Sequence, residues 1–267
     1  MRPASFLPAS FLLAAAISQP AAAEAIAIPF APPTGMALTY RIDQHRPVAG
    51  QDSLFRAVRR LRFERAGSGY MLYATLQSID TDAPASGAEP YRAALGPLVG
   101  VEMRFRLDGK GRIVALEDMD AVWTSVQTGL AAMLTTFPSD SSRYKAAARV
   151  QALFAGLLAE GRLALLAGEL QPLFLFSGSD VADGPGRGLR TMAGSPLGKP
   201  VEVEGTLKIT AQTPARLALE EKLAGEGVQV AVRYGLSRQT GIVEEQERTL
   251  VAGALAMKEN RSLTAAK

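Results

Sequence analysis

Hydrophobic and polar residues alternate along the first segments of this chain. From Leu38 to Asp43, and again from Phe55 to Glu64, the apolar side chains share one parity and the polar ones the other. A period of two residues is typical of a strand with one buried face and one solvated face. Arg59 intrudes on the apolar parity of the second segment. Residues 70–79 are apolar on both parities, which indicates an interior strand.

A turn signal divides the next pair of predicted strands. Val101 to Leu107 alternates in the same way, and Asp108-Gly109-Lys110-Gly111 then leads into Arg112 to Leu116. Glycine tolerates the positive φ that tight hairpins require, so this stretch predicts a hairpin. Residues from about 36 to 116 should form an antiparallel meander of about five strands. A loop rich in Ala, Pro, Gly and Ser, Thr81 to Pro97, interrupts it.

The hydrophobic period changes between residues 118 and 172. Apolar residues recur at steps of three and four from Met119 to Phe137, which predicts a helix that Pro138 ends. A second apolar stripe begins at Ala147, after a Ser-rich stretch that offers N-caps, and its apolar character continues to Pro172. This region is predicted to be a helical pair.

Glycine and proline dominate the stretch that follows. Residues 177–200 are predicted to be a mobile loop, and loops of this length are uncommon and often functional or disordered. Alternation resumes over residues 201–260, where each predicted strand has one polar face, and the polar C-terminal tail beyond it is predicted to fray.

Strands with one apolar face, placed before and after apolar helices, predict an α+β fold. The apolar face of the sheet would cover the helices, and a strongly twisted sheet of about nine or ten strands usually curls. We therefore expect a curved, half-barrel-like antiparallel sheet wrapped around a central helical pair. Residues 24–267 would form this single domain.

The first 23 residues have a different character. Arg2 precedes an apolar stretch from Phe6 to Ile17, and Ala21-Ala22-Ala23 follows. A charged start, an apolar centre and a small-x-small end are typical of a cleavable signal peptide, and the apolar stretch is too short to span a bilayer. We expect export to the periplasm and a mature chain that begins at Glu24, without a transmembrane helix.

Composition excludes several kinds of chemistry. The chain has no cysteine, which removes disulfides, thiolate nucleophiles, Cys-bound metals and a lipid-modified N-terminal cysteine. Signal cleavage would leave 28 basic and 26 acidic side chains, and no run of consecutive basic residues points to nucleic acid. The 48% of hydrophobic residues is ample for a substantial core.

Together, the signal peptide, the hairpin Asp108-Gly109-Lys110-Gly111-Arg112-Ile113-Val114, the apolar helices and the late hairpin Tyr234…Thr240-Gly241-Ile242-Val243 resemble exported bacterial proteins of unknown function. More distantly, the chain resembles the periplasmic lipoprotein-carrier class. That resemblance implies a curved antiparallel sheet around helices and an acyl chain bound in its concavity. No ligand-binding residue of the class aligns with this chain, and fold alone does not determine function.

Catalytic motifs are not evident in the chain. His45 is the only histidine, and no Gly-x-Ser-x-Gly elbow accompanies it. The stretch Gly184-Pro185-Gly186-Arg187-Gly188 lacks the Lys-Ser/Thr ending of a phosphate loop. Asp118 and Asp120, or Glu244, Glu245 and Glu247, are more simply explained as helix-start and surface charges than as catalytic pairs. We predict no enzymatic activity, no cofactor and no metal.

Two groups of residues are candidates for binding. The first is an arginine-rich strand face that could meet lipid phosphates or another anionic partner, or could be a solvated face that neighbouring acids neutralise. The second is an apolar set that could line a lipid cavity of at least about 300 Å³ between sheet and helices, or could pack as a solid core. The arginines are Arg56, Arg60, Arg62, Arg104 and Arg106. The apolar set is Leu153, Phe154, Leu157, Leu158, Leu165 and Leu166.

Three functions follow from these alternatives. A lipid-binding module between sheet and helices is the first. An envelope protein with a solid core, which engages another protein through a sheet face, a strand edge or the 177–200 loop, is the second. A hydrolase with two opposed carboxylates is the third and the least supported by the sequence.

Overall fold

The structure, a computed structural model, describes residues 25–193 and 200–266. The predicted signal peptide and residues 194–199 of the predicted loop lie outside these ranges. The strands are β1 (Ala25–Ile28), β2 (Ala37–Val48), β3 (Gln51–Ala66), β4 (Gly69–Thr81), β5 (Glu102–Leu107), β6 (Ile113–Leu116), β7 (Ser179–Ala182), β8 (Arg187–Ala193), β9 (Val201–Gln212), β10 (Arg216–Gly225), β11 (Val228–Ser237), β12 (Val243–Ala252) and β13 (Leu255–Ala265). The helices are α1 (Ala85–Leu95), α2 (Met119–Leu134), α3 (Ser142–Ala155) and α4 (Ala159–Ala167), with 3-10 turns at Gly96–Leu98 and Gln171–Phe174.

One open antiparallel sheet of eleven strands dominates the fold, in the order β6-β5-β4-β3-β2-β13-β12-β11-β10-β9-β8. Strands β1 and β7 form a separate antiparallel pair. The five-strand meander predicted for residues 36–116 is confirmed as β2 to β6. The α+β class fits broadly, and the described ranges contain more strands than the nine or ten expected and four helices rather than two.

The alternating pattern matches the two faces of the sheet. On β3, Phe55, Leu61 and Phe63 are buried, and Arg59 is buried with them. On β4, Tyr70 and Leu72 are buried, while Met71 between them is more exposed. We call the buried side the inner face and the other side the wet face.

Three hydrophobic clusters cover the inner face. The first lies on β2 to β6 and takes in Phe174 from the second 3-10 turn. The second lies on β8 to β12 and includes Val181 from β7. The third joins Ala57 of β3 to Trp123 and Leu130 of α2. The first two clusters are separated at β13, which carries polar residues on its inner face.

Three predictions of local structure are wrong. The predicted loop 81–97 contains α1, whose Pro90 and Gly87 obscure the helical pattern. A tertiary contact accounts for this helix, because Gly129 of α2 has no side chain and the backbone of Ala94 occupies that space. The predicted loop 177–200 contains β7 and β8.

The third error concerns the C-terminal tail, which is predicted to fray. Strand β13 instead extends to Ala265 and pairs with β2 over its last eight residues, from Lys258 opposite His45 to Ala265 opposite Leu38. The end of the chain thereby joins the N-terminal meander to the C-terminal strands.

Candidate functional site

The six apolar candidates lie in α3, in α4 and in the link between them, and they form an exposed group and a half-buried group. Leu153, Leu158 and Leu165 have exposed fractions of 65%, 79% and 39%. Phe154, Leu157 and Leu166 are half-buried and pack against the cluster around Trp123 of α2.

Phe154 fixes this second group to α2. Its ring centroid lies 6.0 Å from that of Trp123. The six side chains therefore face both sides of the helical layer, and the structure does not gather them around one space between sheet and helices.

An uninterrupted apolar segment connects α3 to α4. Residues 152–159, Ala-Leu-Phe-Ala-Gly-Leu-Leu-Ala, include no polar side chain, and Gln151 and Glu160 bound them. We call this segment the apolar tip. It exposes Leu153 and Leu158 while Phe154 and Leu157 reach inward. Scattered single leucines are normal on protein surfaces, but two strongly exposed ones in a continuous apolar segment mark a candidate interaction surface.

The start of α4 has an unfavourable residue for a helix terminus. Leu158 is its N-cap, with φ −71° and ψ 167°, and no side chain caps the helix there. Leucine is among the poorer N-cap residues, and serine or aspartate would accept a hydrogen bond from the first turn. By contrast, Ser141 caps α3 and accepts a hydrogen bond from the Tyr144 amide at 3.1 Å. Leu158 thus contributes exposed apolar surface where a polar residue would stabilise the helix better.

Helix α3 lies outside α2 and has a basic outer side. Ala147 is its one buried residue. Arg143, Lys145 and Arg149 are exposed, and the helix contains no acidic residue. Lys145, Arg149 and Leu153 follow one another at four-residue steps, which places them along one ridge of the helix.

A buried polar cluster lies on the inner face of the sheet at β2, β3 and β13. The Arg59 guanidinium, whose side chain is 6% exposed, pairs with the carboxylate of Glu169, which follows α4. The hydroxyl of Tyr40 donates to the Glu169 carbonyl oxygen at 3.1 Å, and Arg261 Nη1 donates to the same oxygen at 2.8 Å. These contacts attach the end of the helical layer to three strands.

The remaining polar groups complete that cluster. Arg261 Nη1 also donates to the Tyr40 hydroxyl at 3.0 Å, and Arg261 Nε donates to Glu259 at 2.7 Å. Burial raises the pKa of Tyr40, although Arg261 opposes the shift. Burial alone would lower the pKa of Arg261, but Tyr40 and Glu259 raise it above its ordinary value. The cluster therefore holds a neutral tyrosine beside a charged arginine, and its contacts are internal to the fold.

Sequence reasoning did not identify this cluster as a site. One signal was available, because Arg59 interrupts the apolar parity of β3. Its partner Glu169 is 110 residues away, in a segment without periodicity. No local pattern connects the two residues.

The five candidate arginines lie on the wet face, and the sheet brings Arg60, Arg62, Arg104 and Arg106 together. Arg56 lies opposite Asp80, beyond the part of β4 that pairs with β5. Arg62 of β3 is in register with Tyr73 of β4, which is in register with Arg104 of β5. The Arg62 guanidinium also stacks 4.2 Å from the centre of the Tyr73 ring.

Carboxylates neutralise most of this face. Arg56 binds Asp43 at 2.8 Å, and Arg62 pairs with Glu64. Arg104 pairs with Asp118, and Arg106 lies 3.6 Å from Glu117. Of the five, Arg60 alone has no carboxylate within 4 Å in the ranges that the structure describes. The arrangement fits a solvated, ion-paired face better than an anion-binding one.

Three open clefts lie on the wet face. One of about 550 Å³ runs past Arg216, Gly235 and Glu245, and one of about 590 Å³ lies beside His45 and Asp52. The third, of about 340 Å³, lies between Arg60, Arg62, Tyr73 and Glu102. Their charged groups are largely satisfied by each other, as Arg216 and Glu245 are at 3.2 Å.

The other chemical candidates are placed on the surface. His45 Nδ1 lies 3.3 Å from the exposed Asp52 carboxylate. Asp118 pairs with Arg104, and Asp120 lies 3.4 Å from Arg162. Gly184 and Gly186 both have positive φ in the turn between β7 and β8.

Within residues 25–193 and 200–266, no three His, Asp or Glu side chains are grouped so that they could hold a metal ion. Across the same ranges, no helix has the length and apolar character needed to cross a membrane.

Comparison with known proteins places the chain in no family. No protein-family model matches it, and no curated protein matches it. It is similar to a solved structure described as "lipid-protein interactions in lipovitellin", with a TM-score of 0.38 and 8% sequence identity. The match covers 87% of this chain and 25% of the other, so the chain spans about a quarter of the lipovitellin chain that it matches.

Proposed function

We propose that this protein is an exported, non-enzymatic envelope protein that binds lipid through the outer surface of α3 and α4. The observation that carries the proposal is the apolar tip, in which Leu153 and Leu158 are 65% and 79% exposed. The unfavourable N-cap at Leu158 supports it. Leucine at this position stabilises α4 less than a polar N-cap residue would, and it adds exposed apolar surface. Export to the periplasm remains a prediction from the first 23 residues.

The proposal places the lipid outside the helical layer. Between sheet and helices, Leu61, Leu72 and Leu76 have exposed fractions of 0%, and well-packed side chains leave little room for a ligand. At the tip, by contrast, an acyl environment could cover Leu153 and Leu158 without any rearrangement of the core.

The energy available from the tip predicts reversible binding. Burial of a leucine side chain contributes about 1.5–3 kcal/mol, and both leucines are already partly covered. Together they would contribute about 3 kcal/mol, which alone corresponds to weaker than millimolar affinity. We therefore propose a peripheral contact with a lipid surface rather than a deeply enclosed ligand.

The shape of the sheet belongs to the same proposal. We propose that the eleven strands curl toward the helices, as wide and strongly twisted open sheets usually do. The helical layer would then lie in the hollow of a half-barrel, with the apolar tip at its outer side. Small-angle X-ray scattering of the mature chain would distinguish this shape from a flat sheet.

Vesicle flotation tests the lipid proposal. The mature chain is mixed with phosphatidylcholine–phosphatidylglycerol vesicles and compared with the variant Leu153→Ser/Leu158→Ser. The matched control is Leu175→Ser/Met192→Ser, because Leu175 and Met192 are similarly exposed, at 54% and 57%, outside the tip. We expect the wild type and the control to float and the tip variant to lose at least about tenfold in affinity.

Urea unfolding of the same proteins shows whether the tip variant remains folded. Surface substitutions usually change stability by less than about 0.5 kcal/mol. A folded tip variant that binds like the wild type, or a wild type that does not float, would overturn the proposal.

A protein-interaction module is the second candidate function. Strand β8 is an edge of the sheet, and it exposes Met192. An unpaired edge can pair with another chain. If the wild type does not float but Met192→Lys abolishes a self-association that is seen by light scattering, this second function is favoured.

A further inference from the structure

We infer that α3 selects membranes with anionic phospholipid headgroups, through Lys145 and Arg149 above the apolar tip. This inference rests on the proposed function and names the lipid class that the same surface prefers. It starts from the weakness of the tip, because two partly exposed leucines hold a lipid surface with little affinity by themselves.

Charge is concentrated in the helices that carry the tip. Residues 142–167 contain four basic side chains, Arg143, Lys145, Arg149 and Arg162, and one acidic side chain, Glu160. Their net charge of +3 equals that of the whole 267-residue chain, so the rest of the chain is neutral overall. Basic side chains beside an exposed apolar segment are attracted to an anionic membrane surface.

Lys145, Arg149 and Leu153 follow one another along α3 in the same order as headgroups and acyl chains do at a lipid surface. A helix rises about 1.5 Å per residue, so Arg149 lies about 6 Å and Lys145 about 12 Å along the axis from Leu153. We place the apolar tip end-on in the membrane, at the depth of about 5–10 Å that apolar surfaces of interfacial segments reach. With Leu153 at that depth, Arg149 lies at the level of the phosphates and Lys145 above them.

Neighbouring acidic side chains do not pair with the two cations of this ridge of α3. Among the described ion pairs, none involves Lys145 or Arg149, and both side chains are exposed. Arg162 is already engaged with Asp120, and Arg143 Nη1 donates to the Ser86 carbonyl oxygen at 3.4 Å. The acidic residues that flank α3 in the chain are Asp140, before its N-terminus, and Glu160, in the first turn of α4 beside the tip. Lys145 and Arg149 are thus the two cations that remain available to a phosphate.

The test uses the mature chain, two vesicle types and two double variants. The vesicles are phosphatidylcholine alone and phosphatidylcholine mixed with phosphatidylglycerol. Lys145→Gln/Arg149→Gln removes the cations and keeps the helix propensity, because glutamine is close to lysine and arginine in that respect. Lys110→Gln/Lys258→Gln removes the same charge from exposed positions outside α3 and α4.

We expect the wild type and the control to bind mixed vesicles more tightly than phosphatidylcholine, with an affinity that falls as salt is added. Each basic residue near an anionic surface contributes about fivefold in affinity, so the Lys145/Arg149 variant should lose about 25-fold in affinity for mixed vesicles and little for phosphatidylcholine.

Equal binding of the wild type to both vesicles, or an unchanged Lys145/Arg149 variant, would overturn this inference and leave lipid binding by the tip intact. Loss of binding in the Lys110/Lys258 control to the same degree would overturn it as well, since net charge would then explain the effect. Failure of the wild type to bind either vesicle would overturn the inference together with the proposed function.

Discussion

Arg59 lies on the buried, apolar face of β3 and pairs with the carboxylate of Glu169, which is 110 residues later in the chain. The pair joins the end of the helical layer to the sheet, close to the point where β13 separates two hydrophobic clusters. A buried charge is costly unless it is paired, so this contact constrains where the segment after α4 can lie.

Removal of the partner should destabilise the protein more than removal of the pair. Breaking a buried ion pair costs about 3–5 kcal/mol, and the half-exposed position of Glu169 reduces this to about 2 kcal/mol for Glu169→Gln. Arg59→Met/Glu169→Gln also removes the Arg59 charge, which would otherwise stay buried without a partner. This double variant should recover most of the lost free energy of unfolding. Urea unfolding measures both values. An additive double variant, less stable than Glu169→Gln, would contradict this account.

Two glycines with similar backbone angles should respond differently to alanine. Gly241 and Gly253 have φ of 71° and 58°. A Cβ at Gly241 would overlap the carbonyl oxygen of Pro29, whereas Gly253 has open space around its Cα. We expect Gly253→Ala to cost about 1 kcal/mol for the left-handed conformation, and Gly241→Ala to cost at least about 1 kcal/mol more. Equal losses in thermal or urea unfolding would show that the approach of Pro29 is easily relieved.

Asp43 should contribute to the loss of stability in acid. Burial alone would raise its pKa, but hydrogen bonds from Arg41 and Arg56 hold the pKa below its ordinary value of 3.8. A carboxyl whose folded pKa is lowered stabilises the protein above the unfolded pKa, and this stabilisation disappears as the pH falls through the folded pKa. Asp43→Asn should therefore cost about 1 kcal/mol at neutral pH and progressively less as the pH falls below 3.8 through the folded pKa. The measurement is the free energy of unfolding as a function of pH, and a difference that stays constant across the range would contradict the prediction.

Cleavage of the first 23 residues is a separate prediction. Expression of the whole chain in a Gram-negative bacterium should yield a periplasmic protein whose intact mass corresponds to a start at Glu24. Ala23→Phe should prevent cleavage, because the site needs small residues. Recovery of the uncleaved wild-type chain from the cytoplasm would contradict export.

Much of the sheet could be predicted, because one buried face imposes a period of two residues. The alternation over residues 36–116 predicts about five strands, and β2 to β6 confirm it. Helix α2 was predicted for the same kind of reason, since its apolar stripe faces Ala57 and Leu76. The apolar residues of α3 and α4 were also identified from the sequence, but their division between the core and the exposed tip was not.

The errors occur where local preference and tertiary contact disagree. Helix α1 contains Pro90, and it is held by close contact with α2 at Gly129. The end of β13 is polar, and it is a strand because β2 and β12 both pair with it. Neither contact is visible in the local sequence.

The sequence by itself determined which face of β2 to β6, of α2 and of most later strands must leave water. Its lack of cysteine also excluded thiol chemistry. Only the tertiary structure decided that Arg59 meets Glu169, that β13 joins the two halves of the sheet and that Leu153 and Leu158 remain outside the core. The physical reason is that hydrophobic periodicity reports one buried face of one element at a time. The choice of partner for that face depends on contacts between residues that are far apart in the chain, and no local period records them.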